Sequence, residues 1–151
     1  VPPSFMEEEM LHRNALFCLR HAEALPELVI REPEVTDLGG GVKAIDVLVA
    51  NLRAVPTRTA LARDKKLGVP DTLELSGQGI EVLAGGFRTD RFRPERIQLQ
   101  EHDPARLVRE AGLGSREEIR VRWLVRGTGE ATLRYQAEKA LDVARNFDIP
   151  R

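Results

Sequence analysis

Between residues 119 and 137 apolar and polar positions alternate with a period of two. Ile119, Val121, Trp123 and Val125 alternate with Arg120, Arg122 and Leu124; after Gly127-Thr128-Gly129, Ala131, Leu133, Tyr135 and Ala137 alternate with Thr132, Arg134 and Gln136. Successive strand side chains point to opposite faces, so each half has one apolar and one largely charged face. The pattern predicts a single β-hairpin over 119–137, with one face on a core and the other in water. Trp123 and Tyr135 share the apolar face with their neighbours, which makes them core positions. Arg120, Arg122 and Arg134 form the charged outer face.

The same texture runs through most of the chain. Leu28-Val29-Ile30 is a short strand followed by Pro33, and Gly39-Gly40-Gly41 is a turn. Val42 to Leu52 is a longer strand, with Ile45, Val47 and Val49 on one face and Ala44, Leu48 and Ala50 on the other, so it is expected to be central and buried on both sides. Residues 58–66 are helix-prone but short, and are expected to form a short helix or an irregular crossover between the two sheets. Thr72 to Leu75, Ile80 to Leu83, Ile97 with Leu99, and Val143 to Ile149 are further strands, while 104–113 is expected to be a helical turn or an irregular link and 112–115 a loop. Many short strands separated by Gly and Pro predict a mainly β domain, an antiparallel β-sandwich of the immunoglobulin-like or transthyretin-like kind, over 27–151.

The first 26 residues have a different period. Leu11, Ala15, Cys18, Leu19 and Ala22 recur at helical spacing, flanked by Met10 and Phe17. Ser4 and Glu7 have the spacing of a capping box, Glu7 to Glu9 suit the positive end of the helix dipole, and Glu9 and Arg13 are placed to pair. These signals predict one N-terminal α-helix over 5–24, ended by Pro26, within a helical linker segment over 1–26. The lone Cys18 excludes an internal disulfide framework and is expected to be a buried apolar thiol.

Composition narrows the function. The chain has 151 residues, 31% charged and 42% hydrophobic, with a formal net charge of −1. These values suit one ordinary globular domain and argue against a dedicated nucleic-acid binder. No apolar run approaches the roughly 20 residues needed to cross a bilayer, so no membrane partner is expected. The start at Val1-Pro2-Pro3, without Met, suits a domain cut from a longer protein.

No arrangement of residues composes an active site. His12 and His21 are nine apart on the helix and point in opposite directions, so they cannot share a metal. Glu101-His102-Asp103 is a polar trio without a further His or Cys to complete a metal set. Phe87, Arg88, Arg91, Phe92, Arg93 and Arg96 form the most basic stretch, of the kind that can grip single-stranded nucleic acid, but Asp90 and Glu95 dilute it. No residue is put forward as catalytic, cofactor-binding or metal-ligating.

The order of landmarks is distinctive. Leu-Pro-Glu-Leu-Val-Ile at 25–30 is followed by Val35 to Gly40, Val-Ala-Asn at 49–51, Val-Pro-Thr at 55–57 and Leu-Glu-Leu at 73–75. Ile-Glu-Val-Leu-Ala-Gly-Gly at 80–86, Arg-Val-Arg-Trp-Leu-Val at 120–125 and Glu-Lys-Ala at 138–140 complete it. Over about 24–150 this resembles the C-terminal β-sandwich region of bacterial zinc carboxypeptidases of the carboxypeptidase A-like family. The resemblance implies a non-catalytic accessory domain that follows a catalytic domain in the parent chain and has that domain as its partner. Zinc, with its two His and one Glu ligands, would belong to that catalytic domain; none of the family's zinc-ligand motif matches this chain, and Glu81, Arg122 and Tyr135 take no such role. The alternative is a stand-alone sandwich that binds a peptide, a glycan or a protein.

Overall fold

The computed structural model describes residues 3–89, 93 and 96–151. It is an antiparallel two-sheet sandwich preceded by one helix, as the strand pattern predicts. A 3-10 turn at Ser4–Met6 leads into α1 (Glu7–Glu23). The strands are β1 (Leu28–Ile30), β2 (Glu34–Gly39), β3 (Val42–Asn51), β4 (Asp71–Gly77), β5 (Ile80–Arg88), β6 (Ile97–Leu99), β7 (Arg106–Arg109), β8 (Glu118–Gly127), β9 (Gly129–Gln136) and β10 (Val143–Ile149), with the short α2 (Ala60–Asp64) between β3 and β4. One sheet runs β1-β3-β8-β5-β6, with β2 also pairing β3; the other runs β10-β9-β4-β7.

The predicted hairpin is not a hairpin. β8 pairs with β3 and β5, whereas β9 pairs with β10 and β4 in the opposite sheet. The chain changes sheets at Gly127-Thr128-Gly129, where Gly127 has φ +109° and a side-chain carbon would meet the Gly79 carbonyl oxygen at 2.0 Å. Only glycine tolerates both conditions. The inward faces are those the alternation predicts: Val121, Trp123, Val125, Ala131 and Leu133 are fully buried, and Tyr135 almost so. They meet across the core from opposite sheets.

β3 is central, as expected. Ile45, Val47 and Val49 face the other sheet, while Ala44 and Ala50 on its outer face are also buried. A bulge at Leu83 in β5 puts two residues opposite one on β8 and restores the inward phase, so that Gly85 lies across from Trp123 and Phe87 from Val121. Gly85 makes room for the indole, because a side-chain carbon there would lie 2.6 Å from Trp123 Cδ1. Residues 106–109 of the expected irregular link are instead an edge strand, β7, which buries Leu107 beside β4. β2, the segment Val35 to Gly40 of the resemblance, is a mostly exposed strand.

The helix departs from expectation at its start and in its surroundings. No side chain caps it, because Ser4 lies within the 3-10 turn and the cap position falls on Met6. Glu9 and Arg13 do pair, at 2.5 Å. No residue of α1 is buried, and Cys18 is exposed rather than buried. The apolar stripe of α1 therefore does not pack on this sandwich.

Candidate binding cleft

Two cross-strand rows of charge on the outer face of the six-stranded sheet meet at Asp46. In the first, Arg88 of β5 lies directly opposite Arg120 of β8, which lies opposite Leu48 of β3. In the second, Arg122 of β8 lies opposite Asp46 of β3, which lies opposite Glu34 of β2. Asp46 organises both rows. It accepts two hydrogen bonds from Arg122, Nε at 2.8 Å and Nη2 at 2.5 Å, and a third from Arg88 Nη1 at 3.3 Å. The hydrogen bond to Asp46 raises the Arg122 pKa above its ordinary value against the opposing effect of burial. Arg88 Nε is buried and has no partner among the described residues.

Where β8 begins and β5 and β7 end, the sandwich opens into a cleft of about 700 Å³. Four arginines line it: Arg88, Arg109, Arg116 and Arg120. So do two acids, Glu117 and Glu118, and the apolar surfaces of Leu48, Phe87 and Ile119. A second cavity of about 250 Å³ adjoins it, sharing Leu48, Arg88 and Arg120, and reaches Arg31, Glu32 and Glu34. Arg109 is occupied: its Nη2 donates to Glu117 at 2.6 Å, its Nε to the Gly112 carbonyl at 2.6 Å, and its guanidinium lies 5.8 Å from the centre of the Phe87 ring. Arg116 and Arg120 are exposed and make no ion pair among the described residues.

The lip of the cleft is rigidly built. Asn51, 1% exposed, uses its whole amide: Nδ2 donates to the carbonyls of Val55 and Gly114, and Oδ1 accepts from the backbone of Glu27 and Arg53. The backbone N–H of Arg116 donates to Arg53, and that of Gly114 to Glu117. Arg116 has φ +50°, a left-handed conformation that a long side chain adopts only when its surroundings impose it. Replacing Asn51 by Ala removes a hydrogen-bond partner from four backbone groups at once. We expect a loss of about 2–4 kcal/mol, read as a lower urea midpoint in the fluorescence of the single tryptophan, and a similar loss for Asn51→Asp, which sets a carboxylate against two carbonyls. A change below about 1 kcal/mol would show that Asn51 does not hold this lip.

A second polar cluster is sealed inside. Asp71 Oδ2 accepts from Thr57 Oγ1 at 2.5 Å and from the Tyr135 hydroxyl at 2.8 Å, and Thr57 Oγ1 in turn accepts from the Leu113 N–H at 2.7 Å. Burial, reinforced by the Asp71 charge and hydrogen bond, pushes the Tyr135 phenol far above its ordinary pKa. The cluster ties the β3–β4 connection to β4, β9 and the loop that carries the cleft lip.

The residues singled out by sequence are scattered. Arg120 and Arg122 share a face, but Arg134 lies on the other sheet, opposite Glu74 of β4, so the three arginines form no common surface. Of the basic stretch, Phe87 and Arg88 line the cleft; Arg91 and Phe92, with Asp90 and Glu95, lie outside the described residues. His12, His21 and the Glu101-His102-Asp103 trio are exposed and separate from the cleft. Among the described residues no group of three or more His, Cys, Asp or Glu side chains is placed to hold a metal, and no helix is long and apolar enough to cross a membrane. Sequence reasoning missed Asp46, Arg109, Arg116 and Glu117, because they come from separate segments and form no local motif.

The fold and its groove define the chain as an antiparallel β-sandwich domain. It belongs to the family described as Domain of unknown function (DUF8731), which matches residues 27–148. No curated protein and no solved structure matches it.

Proposed function

We propose that this domain is a non-catalytic accessory module that offers a preformed charged groove to a protein or peptide partner. The observation that carries the reading is the pair Arg116 and Arg120, cations without an ion pair among the described residues, set on a lip fixed by Asn51 and a sheet face fixed by Asp46. The backbone that carries the two arginines is already fixed, so binding need order little beyond their side chains. The resemblance to the C-terminal region of zinc carboxypeptidases makes a catalytic domain of the same parent chain the first partner to examine, with zinc as that domain's cofactor. The exposed apolar stripe of α1, outside the residues matched by the family, supports a neighbour of that kind.

The test is deletion of residues 27–151 from the full-length gene product. The expected results are a lower melting temperature or weaker partner binding, together with a zinc peptidase activity that survives at least in part and resides in the remainder. Unchanged stability and unchanged partner binding would overturn the accessory reading, and a parent sequence without a zinc-ligand motif would overturn the carboxypeptidase assignment.

A further inference from the structure

The cleft has features that folding alone does not explain. Arg88 and Arg120 lie directly opposite each other on paired strands, an arrangement of like charges that destabilises a sheet. Asp46 offsets Arg88 but is committed to Arg122 as well, and Arg88 Nε remains buried without a partner among the described residues. Like-charge opposition and an unsatisfied buried donor at one place point to an anion-binding site.

Resting on the binding-module reading above, we infer that the cleft takes a carboxylate from a peptide, held between Arg116 and Arg120 with Arg88 beneath, while an adjoining apolar side chain packs against Phe87, Ile119 and Leu48. The guanidinium fork matches a carboxylate bidentately and binds it with charge-assisted hydrogen bonds. Charge decides against a polyanion. Four arginines and two glutamates leave a lining charge of only +2, and Arg109 is already neutralised by Glu117. A nucleic acid or a multiply phosphorylated chain would meet Glu117 and Glu118 in the cleft and Glu32 and Glu34 in the adjoining cavity. A single carboxylate beside an apolar group fits both the charge and the walls.

The test uses the labelled 151-residue chain and four probes followed by NMR: acetyl-Leu-Phe with a free C-terminal carboxylate, its C-terminal amide, acetyl-Leu-Glu-Phe amide, and inorganic phosphate. We expect the first or the third to shift the amides of Phe87, Arg116, Ile119 and Arg120 with a dissociation constant of about 1 mM or tighter, and the uncharged amide not to. Which of the two binds tells a chain terminus from an acidic side chain. Arg116→Glu and Arg120→Glu should each weaken binding about tenfold or more, with Trp123 fluorescence unchanged as the check on folding. Equal binding of the uncharged amide, tighter binding of phosphate, binding that survives both charge reversals, or no shift with either carboxylate would overturn the inference. If carboxylates bind but deleting the domain from the parent changes nothing, the cleft stands and the accessory reading falls; if deletion matters but no carboxylate binds, the reverse holds.

Discussion

Trp123→Ala is expected to cost about 3–5 kcal/mol, the range for removing a large aromatic from a packed core. The side chain is fully buried at the centre of β8, facing the opposite sheet, and its Nε1–H donates to the Pro104 carbonyl at 3.0 Å. Truncation therefore opens a large cavity and leaves that carbonyl without its partner. Gly85, small to admit the indole, can add nothing to refill the space. Domains of this size are stable by about 5–15 kcal/mol, so the variant is expected to be marginal at 37 °C. Because it is the only tryptophan, the measurement is a urea melt followed by far-ultraviolet circular dichroism. Trp123→Phe should recover part of the loss, since the ring volume largely returns and the hydrogen bond does not. A cost below about 1 kcal/mol for the alanine variant would remove Trp123 from the core role.

The alternation that identified this residue shows what one chain can tell about its own fold. A period of two specifies which side chains turn inward. It does not specify which strand lies alongside. Ile119 to Val125 and Ala131 to Tyr135 carry the same inward pattern whether they form a hairpin or face each other from two sheets. The choice rests on Gly127 and Gly129, both at positive φ and with carbonyls packed close, which redirect the chain across the core. Register carries the rest of the missing information. Arg88 and Arg120 are 32 positions apart and each resembles an ordinary solvated strand residue; only their direct opposition reveals a site. β7 escaped notice because a four-residue strand with one fully buried residue, Leu107, leaves almost no period to read. The α1 stripe was legible as amphipathic, but periodicity names no cover, and the expected burial of Cys18 failed for that reason.

Alkaline titration should find Tyr135 silent until the domain unfolds. In the native state its hydroxyl donates to Asp71, and burial together with that negative charge disfavours the phenolate. In the unfolded chain the phenol titrates near pH 10. The folded state thus keeps a proton that the unfolded state loses. Stability from this group is fully present below about pH 10 and falls as pH rises beyond it, by up to about 1.4 kcal/mol per pH unit. Since Tyr135 is the only tyrosine, absorbance at 295 nm reads it alone against a tryptophan background that does not titrate. The phenolate signal is expected to rise with the loss of circular dichroism, not ahead of it. Tyr135→Phe removes this pH-dependent loss but leaves Asp71 with only Thr57 as a hydrogen-bond donor, and should cost about 1–3 kcal/mol at pH 7. Asp71→Ala should cost as much or more, because it strands the Tyr135 hydroxyl, leaves Thr57 Oγ1 as a donor with only its long hydrogen bond to the Leu113 carbonyl, and loosens the loop at Leu113, three residues before Arg116 at the lip of the cleft. Phenolate formation near pH 10 in a domain that remains folded would contradict this arrangement. A Tyr135→Phe variant as stable as the parent at pH 7 would show that Asp71 is satisfied by other means.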